Sequence, residues 1–156
     1  MSEFRISEIN LDEHSVLAHS KTIEQEREVA IADLLEKNFF RPKSLGDGPY
    51  RLLLSVQESR LMLDIVPENG MEPDKLVLPL AAFRKVIKDY FLVCDSFYKA
   101  IRTAPPHQLE ALDAGRKAVH DEGATMLQKR LEAGIEMDFA TARRLFTLVC
   151  VLHLKA

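Results

Sequence analysis

The spacing of apolar residues changes halfway along the chain. In the first half it has a period of two: Tyr50–Gln57 and Arg60–Val66 both alternate, and only Glu58 and Ser59 separate them. This pattern predicts a tight β-hairpin. A third run, Lys75–Leu80, extends the hairpin into a meander.

From Ala81 onward the period is 3.6, which indicates amphipathic helices. The first predicted helix runs from Ala81 to about Thr103, and the second from Pro105-Pro106 to about Glu132. A last helix begins at Asp138, a good N-cap residue, and ends near His153. It is apolar almost all round, so we expect it to be central or shared with a partner chain.

The N-terminal part adds a strand and a helix. Phe4–Leu11 alternates with a phase slip that indicates a bulge or an edge strand, Thr22–Asn38 is a predicted helix, and Phe39–Pro49 is a predicted connection. The resulting order predicts an α+β fold, in which a small, mainly antiparallel sheet packs against a layer of three to four helices. We expect one domain, with a strand-rich part over 1–80 and a helical part over 81–156.

Composition narrows the class of protein without revealing its chemistry. The 156 residues are 47% hydrophobic and 29% charged with a net charge of -3, as in an ordinary soluble globular protein without general attraction to nucleic acid or membranes. Cys94 and Cys150 form no CxxC pair, which suits a reducing cytoplasm. The longest apolar stretch, Leu145–Leu154, is about half of the roughly 20 residues that a membrane span needs, and Met1–Leu11 does not resemble a secretory signal.

Three polar residues interrupt the apolar side of the second predicted helix. Asp113, Arg116 and His120 are spaced i,i+3 and i,i+4, so their side chains lie on one side of a helix. Arg116 falls near the middle of the apolar stripe, where an arginine is either buried and paired or lines a cavity.

Two interpretations of this cluster remain open. In the first, Arg116 binds a carboxylate or phosphate, His120 acts as acid or base, and Asp113 fixes the tautomer of His120. In the second, the cluster is a structural network that ties the helix to an acidic neighbour. Arg143, on the inner face of the last helix, is a further ligand-binding candidate that we expect to pair with Asp113 or another acid.

The sequence predicts neither a metal nor a cofactor. His120-Asp121-Glu122-Gly123 cannot direct enough side chains toward one ion, and Cys150 and His153 have no further ligands nearby. The glycine patterns of phosphate-binding, dinucleotide-binding and serine-hydrolase loops do not occur either.

The charged and apolar residues on the surfaces of the predicted helices indicate which partners the protein could bind. The helix starting at Ala81 carries basic residues, but pairs such as Lys85–Asp89 and Asp95–Lys99 indicate a solvated face, so nucleic-acid binding is the weaker interpretation. Leu92 on its polar side and the apolar last helix suggest a homodimer. We therefore predict a cytoplasmic binding or regulatory module without catalytic activity. The alternative is an enzyme or sensor for a small anionic ligand held by Arg116 and His120.

Several segments together resemble a known family. They are Phe4–Leu11, Lys88–Phe91, Tyr98–Ala104, His120–Gly123 and Asp138–Leu148. They are similar to those of a family of small, uncharacterised bacterial proteins found mainly in the alphaproteobacteria, over nearly the whole chain. The resemblance implies a stand-alone bacterial cytosolic protein and carries over no catalytic residue.

Overall fold

The structure, a computed structural model, describes residues 3–12 and 21–153. It has four helices among these residues: α1 (Lys21–Glu36), α2 (Arg84–Ala100), α3 (Pro106–Leu131) and α4 (Phe139–His153). The strands are β1 (Ile6–Leu11), β2 (Phe40–Pro42), β3 (Tyr50–Gln57), β4 (Arg60–Pro67), β5 (Asp74–Pro79) and β6 (Ile135–Met137). The predicted α+β class is confirmed.

The main sheet has the strand order β1-β3-β4-β5 and is mostly antiparallel. Only β1 runs parallel to its neighbour β3, and the register of this pair shifts between Ile6 and Glu8, as the phase slip in the sequence predicted. One face carries buried residues such as Leu52, Leu63 and Ile65 and forms the core side. The sheet therefore separates a packed helical layer from an open outer face.

The hairpin between β3 and β4 lies where the alternation placed it. Gln57 pairs with Arg60, and the two turn residues have positive φ angles, 52° at Glu58 and 60° at Ser59. Positive φ at both central residues is the geometry that matches the right-handed twist of the strands. Neither residue is a glycine, so the turn adopts this geometry at some cost in backbone energy.

The predicted connection Phe39–Pro49 is wrong over its first residues. Phe40–Pro42 forms β2, which pairs antiparallel with β6, a strand that the sequence did not predict either. Strands of three residues are too short to show a period, and their pairing partners are far apart in sequence. The N-terminal end of α4 also contacts this pair, since Phe39 N donates to Thr141 Oγ1 at 3.0 Å.

Helix α4 is the centre of the helical layer. Every residue from Leu145 to Leu152 is buried within this single chain, against α1, α3 and β3. Its apolar character therefore needs no partner chain. Asp138 caps it as predicted, accepting a hydrogen bond from Thr141 N at 2.9 Å.

Helix α3 reaches α4 through a glycine. A Cβ atom at Gly123 would lie 2.2 Å from Cζ of Phe146, whose ring is fully buried. The absence of a side chain at this position therefore allows the two helices to pack closely. This close contact also positions the polar residues of α3 against those of α4.

Candidate functional site

An open pocket of about 230 Å³ lies where α1, α3 and α4 meet. Tyr90 of α2 forms part of its floor, and the other lining residues come from the three helices: Glu26, Val29, Ala30, Asp33, Arg116, His120, Arg143, Arg144 and Thr147. All three predicted ligand-binding candidates are among them. The pocket thus joins charged residues that are far apart in sequence.

Arg116 forms ion pairs and also lines the pocket, so both situations expected for an arginine on an apolar helix face occur together. Its Nη2 and Nε donate to Asp113 Oδ1 at 2.6 and 3.1 Å, and its Nη1 lies 3.6 Å from Glu26 Oε1. The guanidinium also sits 5.0 Å above the ring of Phe97. Burial lowers the pKa of Arg116, but the hydrogen bonds to Asp113 and the charge of Glu26 raise it by more. This arginine is largely satisfied within the protein.

Asp113 does not orient His120, contrary to the expected tautomer-fixing role. Its carboxylate contacts Arg116 and Lys117 Nζ, the latter at 3.2 Å. The hydrogen bonds from Arg116 hold the pKa of Asp113 below its usual value. Asp113 is engaged by residues of its own helix, whereas His120 contacts α4.

His120 Nε2 lies 2.9 Å from two atoms of α4, the carbonyl oxygen of Arg143 and Thr147 Oγ1. Because a carbonyl oxygen only accepts, Nε2 must carry the proton and donate it. Nδ1 of the neutral ring is then the acceptor, and it has no hydrogen-bond partner among residues 3–12 and 21–153. The ring stacks on Tyr90 at 5.2 Å, and this burial lowers the pKa of His120. His120 is therefore neutral near pH 7.

Arg143 pairs with Asp121, so the prediction of an acidic partner is confirmed and the partner is not Asp113. Its Nε lies 3.2 Å from Asp121 Oδ1, without the alignment of a hydrogen bond. Its two Nη groups donate to no side chain or carbonyl in the described parts of the chain. Of the three arginines in the pocket, Arg143 has the most unused donors.

The pocket also has an acidic wall, formed by Glu26 and Asp33, that was not predicted from the sequence. Glu26 accepts a hydrogen bond from Tyr98 OH at 2.7 Å and a longer one from Tyr90 OH at 3.4 Å. Burial, and then Glu26, raise the pKa of Tyr98 to about 12. Asp33 lies 3.7 Å from Arg144 Nη2. Both acids lie at the edge of the apolar stripe of α1, a signal similar to the one that revealed Arg116.

The other candidate residues form ordinary structural contacts. Lys85 and Lys99 pair with Asp89 and Asp95, each at 2.9 Å, as predicted for a solvated helix face. Cys150 is fully buried, and burial raises the pKa of its thiol well above the usual value.

Neither a metal-binding group nor a membrane-spanning helix occurs among residues 3–12 and 21–153. No three histidine, cysteine or acidic side chains come together in a metal-like group. In the same part of the chain, no helix combines the length and apolar character of a membrane span.

Fold and pocket together define an α+β protein with a charged interhelical pocket. The chain belongs to the uncharacterised protein family UPF0262, whose model matches residues 3–155. This confirms the family resemblance seen in the sequence.

Relatives in several alphaproteobacteria match over nearly the full length of both chains. A UPF0262 protein of Erythrobacter litoralis (strain HTCC2594) is 52% identical over 99% of this chain and 99% of its own. One of Rhodopseudomonas palustris (strain BisB5) is 51% identical over 99% and 94%. One of Caulobacter vibrioides (strain NA1000 / CB15N) is 53% identical over 96% and 92%. No solved structure matches.

Proposed function

We propose that this protein is a cytoplasmic binding module for a small anionic ligand, without catalytic activity. The observation that carries the proposal is the guanidinium of Arg143, whose Nη groups have no partner among the described residues although they belong to a pocket-lining side chain. A guanidinium presents paired donors that match a carboxylate or phosphate. The free thiols of the buried Cys94 and Cys150 support the cytoplasmic location.

In this proposal Arg143 and Arg116 have different roles. Arg143 contacts the ligand, whereas Arg116 is held by Asp113 and Glu26 and keeps α3 and α1 in register. The side chain of Arg116 is 25% exposed and that of Arg143 is 34% exposed, so exposure alone does not separate them. Their hydrogen bonds distinguish them, because Asp113 accepts two from Arg116 whereas the Nη groups of Arg143 donate none among the described residues.

Calorimetry with phosphate, acetate, pyruvate and succinate at low ionic strength tests the proposal. Wild type should bind at least one of these anions, and Arg143→Met should lose that binding. Arg130→Met, an exposed arginine outside the pocket, is the matched control and should bind normally. Arg116→Ala should melt at lower temperature without ligand, because Asp113 and Glu26 lose their partner. If Arg143→Met binds as wild type does, the anion site is not here.

A second candidate function is proton transfer or sensing by His120. Its ring is neutral near pH 7, and Nδ1 has no partner in the part of the chain that the structure describes. Such a nitrogen can accept a proton from a ligand. NMR signals of the His120 ring should then shift when an anion binds. A ring insensitive to every anion that binds would end this hypothesis.

We also propose that the protein forms a homodimer through the outer face of the sheet. Leu53 and Val77 are 38% and 49% exposed there, next to the half-buried Met62 and Val66. Light scattering at tens of micromolar should give a dimer for wild type and a monomer for Leu53→Glu. A monomeric wild type would refute the proposal.

A further inference from the structure

The two walls of the pocket carry opposite charges. On α1, Glu26 and Asp33 are two helical turns apart and face the pocket across Val29 and Ala30. The arginines of α3 and α4 form the other wall. An acidic wall repels a ligand that carries only negative charge, so it favours a ligand that also carries a positive charge.

The opposing charges meet across the pocket as ion pairs but not as direct hydrogen bonds. The two ion pairs across the pocket are long, 3.6 Å from Arg116 to Glu26 and 3.7 Å from Arg144 to Asp33. A charge-assisted hydrogen bond between such groups is about 2.7–2.9 Å long. Within the arginine wall, Arg116 and Asp113 do reach 2.6 Å. Charges therefore remain on both sides that a ligand can engage.

Glu26 and Asp33 differ in how many further hydrogen bonds their carboxylates can accept. Glu26 already receives hydrogen bonds from Tyr98 and Tyr90, and its side chain is only 18% exposed. The carboxylate of Asp33 is 44% exposed, and its one side-chain partner among the described residues is Arg144. Asp33 is thus the acid that a positively charged group of a ligand can reach.

We propose that the ligand is a small zwitterion of the size of a free amino acid, with its carboxylate on Arg143 and its ammonium group on Asp33. The pocket, with a volume of about 230 Å³ and open to solvent, admits a molecule of this size. Neutral His120, on the same wall as Arg143, adds an acceptor rather than a second positive charge. The inference rests on the anion site proposed above and specifies what that site selects.

Matched ligands separate the two charges. The twenty protein amino acids are screened by calorimetry, and each is compared with its deaminated acid and its decarboxylated amine, for example L-valine with 3-methylbutanoate and 2-methylpropylamine. At least one amino acid should bind ten-fold or more tightly than its matched acid, with the amine weaker still.

Variants then assign each charge to a residue. Asp33→Asn should remove the ten-fold preference for the amino acid, and it should not weaken binding of the matched acid, since the substitution also removes a like charge. Asp95→Asn, which makes the same change on the exposed face of α2, is the control and should keep the preference. Arg143→Met should lose both ligands. Circular dichroism should show that all three variants fold.

The outcomes distinguish this inference from the proposal on which it rests. If acids and amino acids bind equally well, and Asp33→Asn changes neither, the anion site stands and the zwitterion is refuted. If no amino acid and no anion binds wild type, both fail. If an amine binds as well as its amino acid does, Asp33 works without Arg143 and the zwitterion is again refuted.

Discussion

Replacing Gly123 by alanine tests the close contact between α3 and α4 that shapes the pocket. Gly123 is buried inside α3, and an added Cβ would lie 2.2 to 2.4 Å from three ring atoms of Phe146. The ring cannot move away easily, because it is fully buried and packs against Tyr90 and His120 with centroids 5.8 and 5.9 Å away.

The expected magnitude is the difference of two opposing effects. Alanine is favoured over glycine inside a helix by about 0.8–1.0 kcal/mol. Overpacking a rigid core costs about 1–3 kcal/mol, and contacts this short belong at the upper end. The free energy of unfolding should therefore fall by about 2 kcal/mol, which for a chain of this size lowers the melting temperature by roughly 4–8 °C.

Gly115→Ala is the matched control in the same helix. A Cβ at Gly115 would meet only Val93 Cγ1, at 3.9 Å, an ordinary contact. This variant should gain the helix propensity alone and melt roughly 2–4 °C higher than wild type. Thermal and urea unfolding followed by circular dichroism measure both. If Gly123→Ala is as stable as Gly115→Ala, the close packing of α3 on α4 is wrong. In Gly123→Ala/Phe146→Leu the smaller side chain should recover part of the loss.

Three further predictions concern the titration of His120, the partly buried hydrogen bond between Phe39 and Thr141, and the strained turn at Ser59. Burial lowers the pKa of His120 below 6.5, its usual value in the unfolded chain. The stability that neutral His120 contributes is therefore complete above pH 6.5 and is lost as the pH falls toward the folded-state pKa. Between pH 7.5 and 5.5, the melting temperature of His120→Asn should fall less than that of wild type. His153→Asn is the control for the other histidine whose pKa is lowered, and an unchanged slope in His120→Asn would refute the assignment. Thr141→Val should lower the free energy of unfolding by about 1–3 kcal/mol, because the amide of Phe39 loses its acceptor, and a neutral result in urea unfolding would contradict that bond. Ser59→Gly should raise the melting temperature, because glycine adopts the left-handed backbone conformation without the cost of roughly 1–2 kcal/mol that serine has there. This gain exceeds the loss of about 0.4–1 kcal/mol from the larger unfolded-state entropy of glycine. A lower melting temperature would contradict the turn geometry.

The sequence by itself determined the elements whose side chains repeat. The β3–β4 hairpin and helix α2 have periodic patterns because one face of each packs against the core over several successive turns or residue pairs, whereas α3 is buried only toward its C-terminal end. The capping of α4 by Asp138 is equally local, since a side chain three residues away satisfies a free amide. Each of these features depends only on residues that are close together in the sequence.

Tertiary structure alone decided the short pairing of β2 with β6 and the partners in the pocket. Sequence periodicity identified Arg116 as an exception on an apolar face, but Glu26 meets it only because α1 and α3 both pack on α4. The same holds for His120, whose partners are on α4 rather than at Asp113. Helix spacing specifies which side chains share a face, whereas the packing of one helix on another decides which charges meet.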